Sequence, residues 1–314
     1  MKISICLCTY NGSKYLTEQL ESLKNQIVKA DEIIVCDDGS TDNTIEILNK
    51  YKDILNIKLF INASSLGVTK NFEKSISLCS GDIIFLCDQD DIWEKNKIEK
   101  MSSAFIDKNV GLVLCNGILI DEKNKQIKNY TLWNVFGIDK IDKENFTTNI
   151  LINKPVFTGM AMAFRTDLKK YILPISKNAF HDEWIGFISS YKSKVCFLEE
   201  ELVRYRIHKN QKVGIIYIKS LYEKYKFVKR YKISDIEKEL AKVNDFIEKF
   251  QQLNADKNFI NKLKNKQKLF YYRTTKSKFR LFILLWQLVI GNYHLYTNGK
   301  FKTFIRDVFT KNIQ

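Results

Sequence analysis

Short apolar runs alternate with amphipathic segments from the first residues of the chain. "ISICLCTY" (3–10) is largely apolar, and "NGS" breaks it. "SKYLTEQLESLKNQI" follows, with Leu16, Leu20, Leu23 and Ile27 at the spacing of one helix face. "EIIVCDDGS" is a second β-type run, and "STDNTIEILNKY" opens on helix-capping residues and continues as a helix. "IKLFIN" reads as a third strand and "VTKNFEKSISLC" as a helix with Phe72, Ile76 and Cys79 on one face. "GDIIFLC" is a fourth strand, "EKNKIEKMSSAFI" a helix and "VGLVLCNGILI" a fifth strand. This alternation predicts an α/β fold: a mostly parallel central sheet with helices on both faces.

Three of these strands end in polar clusters: "TYNG" (9–12), "CDDGS" (36–40) and "CDQDD" (87–91). Open α/β sheets bind ligands beyond the carboxyl ends of their strands, so the fold would gather the clusters at one rim. Capping of the next turn accounts for "DDGS" taken alone. It does not account for "DQDD", because one cap uses one carboxylate and Asp88, Asp90 and Asp91 crowd three. A hard divalent cation, Mg²⁺ or Mn²⁺, is the expected compensation, since it prefers oxygen ligands and bridges to substrate phosphates. In an Asp-x-Asp element one carboxylate can reach the metal while the other orients the sugar of a nucleotide. The absence of a glycine-rich P-loop and of GxGxxG argues against a P-loop NTPase and a dinucleotide enzyme.

Charge divides the chain further. The net charge is +15, yet residues 1–210 hold 28 Lys/Arg and 28 Asp/Glu, while residues 211–314 hold 23 Lys/Arg against 8 Asp/Glu. A neutral domain over 1–212 and a basic helical region over 213–314 are therefore expected, with different partners. The seven cysteines mostly lie in apolar runs without CxxC spacing, which predicts reduced packing residues of a cytosolic protein. The first residues lack the features of a signal peptide, and no apolar stretch reaches membrane-spanning length.

"ISICLCTYNGSKYLTEQLESL", "EIIVCDDGSTDNT", "GDIIFLCDQDDIW" and "HDEWIGF" resemble the successive motifs of family 2 glycosyltransferases with the GT-A fold. "CDQDDIW" and "YRIHKNQ" look most similar to the rhamnosyltransferase-like branch of bacterial surface polysaccharide synthesis. The resemblance covers about residues 1–212. It implies that Thr9, Tyr10 and Asn11 line the nucleotide pocket, that Asp38 binds the base, and that Asp37 supports the turn. It places Asp88 against the ribose or sugar, Asp90 on the metal and Asp91 at a helix start. Gly159 in "PVFTGMAMAF" either lets the backbone approach the donor sugar or marks a buried bulge in a strand. Asp182 of "HDEW" is the expected general base of an inverting transfer, with Glu183 its close neighbour; the pair could instead cap the following helix. Arg204, Arg206 and His208 alternate, so on a strand they share one face. The resemblance favours a role for His208 at the metal and for the arginines at the diphosphate. The Gln-x-x-Arg-Trp element of processive synthases is absent, which points to single addition.

The implied donor is a nucleotide-diphosphate sugar, dTDP-rhamnose or a UDP-hexose, and the implied acceptor a lipid-linked saccharide. The implied place is the cytoplasmic face of the cell membrane. In the basic region, the apolar run Leu281–Ile290 is too short to span a bilayer. It either lies on an anionic membrane surface or packs inward under a solvated basic exterior. No motif for nucleic acid accompanies the charge, so none is expected as a partner. Two other classes stay open: a non-catalytic membrane or nucleic-acid adaptor, which would need neither Asp90 nor Asp182, and a nucleotidyltransferase, which usually carries an N-terminal glycine-rich basic loop.

Overall fold

Strand β1 (Ile3–Thr9) is buried along its whole length, as its largely apolar run suits a strand covered on both faces. In the computed structural model the described residues are 1–143, 146, 152, 157–209, 211, 232–275, 280–296, 303–304 and 307–308. β1 pairs in parallel with β2 (Glu32–Asp37) on one side and β4 (Ile83–Cys87) on the other, and β2 pairs in parallel with β3 (Ile57–Ile61). The connecting helices are α1 (Ser13–Lys24), α2 (Thr44–Tyr51) and α3 (Val68–Leu78). Leu16, Leu20, Leu23, Phe72 and Ile76 are buried as their periodicity predicts. Ile27 is not: α1 ends at Lys24, and Ile27 is exposed beyond it.

Past β4 the sheet becomes mixed. The described strands form one nine-stranded sheet in the order β3-β2-β1-β4-β8-β6-β9-β5, with β7 on β6. β5 (Ile92–Trp93) is followed by α4 (Lys97–Ser103), β6 (Val110–Ile120), β7 (Gln126–Thr131) and α5 (Leu132–Phe136). β8 (Met162–Arg165) runs antiparallel to both β4 and β6. α6 (Lys169–Ile172) and α7 (His181–Lys192) lead into the long β9 (Lys194–Arg206), which is parallel to β6 with register shifts and antiparallel to β5. The parallel arrangement expected from β-α alternation therefore spans the first four strands.

The chain divides into two compact units, one drawn from 1–147 and 156–215, the other from 148–155 and 216–314. The expected boundary at 212/213 lies outside the described residues, as do Pro155 and Val156 of the "PVFTGM" segment. The second unit contains α8 (Ile233–Gln252), α9 (Lys257–Thr274), α10 (Arg280–Val289) and α11 (Asn292–Tyr296). Its core includes Phe246, Phe250 and Phe259, with Phe250 and Phe259 edge to face at 4.9 Å. A buried Arg273–Asp307 pair (2.7 and 3.1 Å) is completed by Tyr293 Oη, which donates to Asp307 at 2.8 Å. All seven cysteines are free thiols, six of them buried.

Candidate active site

β1, β2 and β4 run parallel, so their polar ends share one rim. Thr9 Oγ1 donates to Asp37 Oδ2 (2.7 Å), and Asp37 also accepts from the Gly39 and Ser40 amides. Asp37 thus holds the turn. Asn11, at φ 47°, accepts from Thr41 N through Oδ1 (2.8 Å), while its own amide donates to Ser40 Oγ. Asn11 ties two rim loops together. The Tyr10 backbone is locked to Gln89 by two hydrogen bonds, 2.8 and 3.1 Å, and the Tyr10 ring is partly exposed. Gln89, unremarked in the sequence, is what joins the first loop to the acidic one.

Asp38 follows Asp37 at the same rim. Its carboxylate is buried and accepts four hydrogen bonds, from Asn62 Nδ2, Leu66 N, Ser65 Oγ and Gly67 N. Gly67 offers its amide from φ 79°, which glycine reaches without cost. Burial alone would raise the Asp38 pKa, but these donors more than offset it and hold the carboxyl below its ordinary value. The residue shapes the 62–67 loop.

Asp88, Asp90 and Asp91 follow β4. Asp90 Oδ2 lies 2.8 Å from His208 Nε2, and the His208 ring tilts against Tyr15 at 4.8 Å. Asp88 is half-buried; burial and then the charges of Asp90 and Asp182 push its pKa up to about 8. Asp182 is therefore brought near Asp88 across the rim. Asp91 is not at a helix start. The chain continues into β5, α4 begins only at Lys97, and the Asp91 carboxyl is fully buried, accepting from Arg206 N at 2.9 Å. Its other oxygen has no hydrogen-bond partner among the described residues, and burial beside Asp90 and Asp88 pushes its pKa well above the ordinary carboxyl range.

Part of the compensating charge is built in. Lys97 is fully buried, its ammonium 3.5 Å over the Trp93 ring and donating to the Met160 carbonyl. Burial lowers its pKa to about 8 against the opposing pull of nearby acids. Arg206 is also fully buried. Its guanidinium donates to the Asp90 carbonyl (2.7 Å), to Glu18 Oε2 (2.6 Å) and to Asn124 Oδ1, and lies over the Tyr15 ring at 4.5 Å. The side chain expected at a diphosphate instead braces the Asp90–Asp91 turn. Arg204, also expected there, is partly exposed and pairs with Glu94 at 2.6 Å. His208 lies two residues past the end of β9.

Gly159 lies in a 3₁₀ turn (Gly159–Ala161), and its amide meets Asp182 Oδ2 at 3.3 Å. A Cβ there would stand 3.0 Å from His181 Nε2. Gly159 thus permits close approach of the α7 N-terminus, and it lies in this turn rather than in a strand bulge. His181 is buried, stacked on Phe72 at 3.8 Å, and burial lowers its pKa to about 3. Asp182, in the first turn of α7, also accepts from Glu183 N at 2.8 Å.

An oxygen and an imidazole nitrogen converge at Asp90 and His208, a donor set suited to Mn²⁺ or a similar divalent ion. No group of three His, Cys, Asp or Glu that could enclose an ion occurs among the described residues.

The chain belongs to glycosyl transferase family 2, which matches residues 4–172. It is similar to an uncharacterized glycosyltransferase of Nostoc sp., 25% identical over 212 residues, 66% of this chain and 65% of that one. It is similar to the poly(ribitol-phosphate) β-N-acetylglucosaminyltransferase TarS of Staphylococcus aureus, 38% identical over 117 residues, 36% of this chain and 20% of that one. The chain thus spans less than two thirds of either relative's length. Residues 1–349 of S. aureus TarS, solved with UDP-GlcNAc, align with a TM-score of 0.59 at 18% identity, covering 98% of this chain and 90% of that one. The mannosyltransferase PcManGT of Pyrobaculum calidifontis, solved with GDP-Man and Mn²⁺, aligns at 0.57 and 15% identity, covering 98% and 86%. These likenesses show the fold, GT-A.

Proposed function

We propose that the chain transfers one sugar, with inversion, from a nucleotide-diphosphate sugar to a saccharide acceptor in bacterial surface polysaccharide synthesis. The observation that carries this reading is the meeting of Asp88, Asp90, Asp182 and His208 at one rim. The acceptor hydroxyl loses its proton to Asp182 as its oxygen bonds to the anomeric carbon and the bond to the diphosphate breaks. Asp90 and His208 hold a divalent cation, Mg²⁺ or Mn²⁺, which supplies charge neutralisation for the leaving diphosphate. Asp88 faces the ribose or sugar, and Thr9, Tyr10 and Asn11 frame the nucleotide. Asp38 serves the base through the 62–67 loop that it organises, and Arg206 acts by positioning Asp90. The donor is a UDP-hexose or dTDP-rhamnose; the structural relative holding UDP-GlcNAc supports the first. The acceptor is lipid-linked, which places the reaction at the cytoplasmic face of the membrane. The neutral residues 1–212 form the catalytic domain and the basic remainder an appendage.

The test is nucleotide release from a panel of donors with Mn²⁺ present. Release should stop in excess EDTA and fall by orders of magnitude in Asp90→Ala. Full turnover in EDTA would exclude the cation.

A further inference from the structure

Helix α10 buries Leu284 yet leaves a second apolar stripe open to solvent. A surface helix ordinarily turns its apolar stripe inward and its polar residues to water. Here Gln287 is 4% exposed and accepts a hydrogen bond from Asn292 Nδ2 at 2.6 Å. Phe282, Trp286 and Val289 are 70%, 56% and 75% exposed on the opposite side, and Leu285 stands with them. These positions are spaced three and four apart, so they form one stripe. A groove of about 430 Å³ beside it is lined by Phe282 and Trp286 of α10 and by Tyr272 and Lys268 of α9. Lys264, one turn before Lys268, is exposed as well.

We infer that this stripe docks on an anionic lipid bilayer, its apolar side chains entering the headgroup boundary and the α9 lysines meeting lipid charge. Charge selects the occupant. Residues 211–314 carry the whole +15 excess. A second copy would set two such basic units against each other, whereas an anionic surface complements them. No described helix is long and apolar enough to cross a membrane, so α10 lies on the surface. A tryptophan at the edge of an apolar stripe suits the headgroup depth. The inference does not use the transfer site, so Asp182→Asn should bind vesicles like the unmodified chain.

The test is co-sedimentation of the full chain with phosphatidylcholine vesicles, with and without phosphatidylglycerol, at low and high salt. Binding should require the anionic lipid and should fall only in part at high salt. Leu285→Ser combined with Trp286→Ser should weaken it about tenfold or more, since two exposed apolar side chains lose their burial. Lys264→Glu combined with Lys268→Glu should weaken it about thirtyfold or more at low salt and little at high salt. Trp93, Trp133 and Trp184 are each 3% exposed, so quenching of the unmodified chain by brominated lipid would report on Trp286. No sedimentation with anionic vesicles, no quenching, or unchanged binding by both variants would overturn the inference. A concentration-dependent dimer, abolished by the serine pair and unaffected by vesicles, would assign the face to a second copy instead.

Discussion

At Asp182 two backbone amides, from Gly159 and Glu183, fix a carboxylate within electrostatic reach of Asp88. Asparagine keeps the shape but has a single acceptor oxygen, so it holds one of these two amides, and it takes up no proton. Asp182→Asn should therefore keep the fold and donor binding while transfer falls about a hundred- to ten-thousand-fold. Parallel transfer assays and donor titrations check this; Glu183→Gln should stay within a few-fold of the unmodified chain. Normal transfer by the asparagine variant with loss in Glu183→Gln would move the base by one residue. The acidic excess at 88–91 was legible in sequence, because crowded carboxylates demand a cation. That two of the cations are protein groups was not. Lys97 stands in the charged run "EKNKIEK", where a lysine reads as solvated, and only the tertiary fold seats it over Trp93 beneath the rim. Arg204 and Arg206 share a strand face, yet one meets Glu94 in partial solvent and the other is sealed under the Asp90–Asp91 turn. Alternation gives the face of a strand, not what covers it.

The elements legible from periodicity were those whose neighbours are close in sequence. β6 covers residues 110–120, the same apolar run read as the fifth strand. The two-residue β5 was not legible, because its existence depends on β9, more than a hundred residues later. Antiparallel β8 likewise gets its place between β4 and β6 from long-range pairing. Local pattern also missed a tie at the opposite end of the parallel strands. Glu32, at the start of β2, accepts from Ser4 Oγ (2.6 Å), Ser80 N (2.6 Å) and Lys58 Nζ (2.7 Å), joining β1, β3 and the turn before β4. Burial tends to raise its pKa, but these donors outweigh burial and lower it to about 2. A carboxyl with a depressed folded pKa contributes stability that is fully present above its unfolded pKa, about 4.3, and is lost as pH falls toward the folded value. Glu32→Gln should thus cost on the order of 2 kcal/mol at neutral pH, with the deficit closing between about pH 4 and pH 2. Urea midpoints across that range measure it. A deficit that does not change with pH would show that the charge on Glu32 is not what ties these strands.

For the molecule as a whole, the uneven charge has a consequence for stability that does not depend on any site. The first 210 residues balance 28 basic against 28 acidic groups, whereas the last 104 carry 23 against 8. Like charges at this density repel within the folded unit more than in the extended chain, so the basic unit opposes its own compaction. Its described ion pairs soften this only locally: Lys242–Glu239 is a helical neighbour pair, and Arg273–Asp307 is buried. Added salt screens repulsion over a Debye length of about 10 Å at 0.1 M and about 3 Å at 1 M. Raising salt between those limits should therefore stabilise α8 and α9 while leaving β1–β4 nearly unchanged. Hydrogen exchange read by mass spectrometry follows peptides of each unit separately, so the two responses can be compared in one sample. Amides of 236–252 and 259–273 should slow about fivefold, the equivalent of about 1 kcal/mol of relieved repulsion, and those of 3–9 and 83–87 should hold steady. A choice of chloride rather than sulfate separates screening from the general strengthening of apolar burial, which would slow both units alike. If both units slow together in chloride, or if the basic helices exchange faster, self-repulsion is not what limits the second unit.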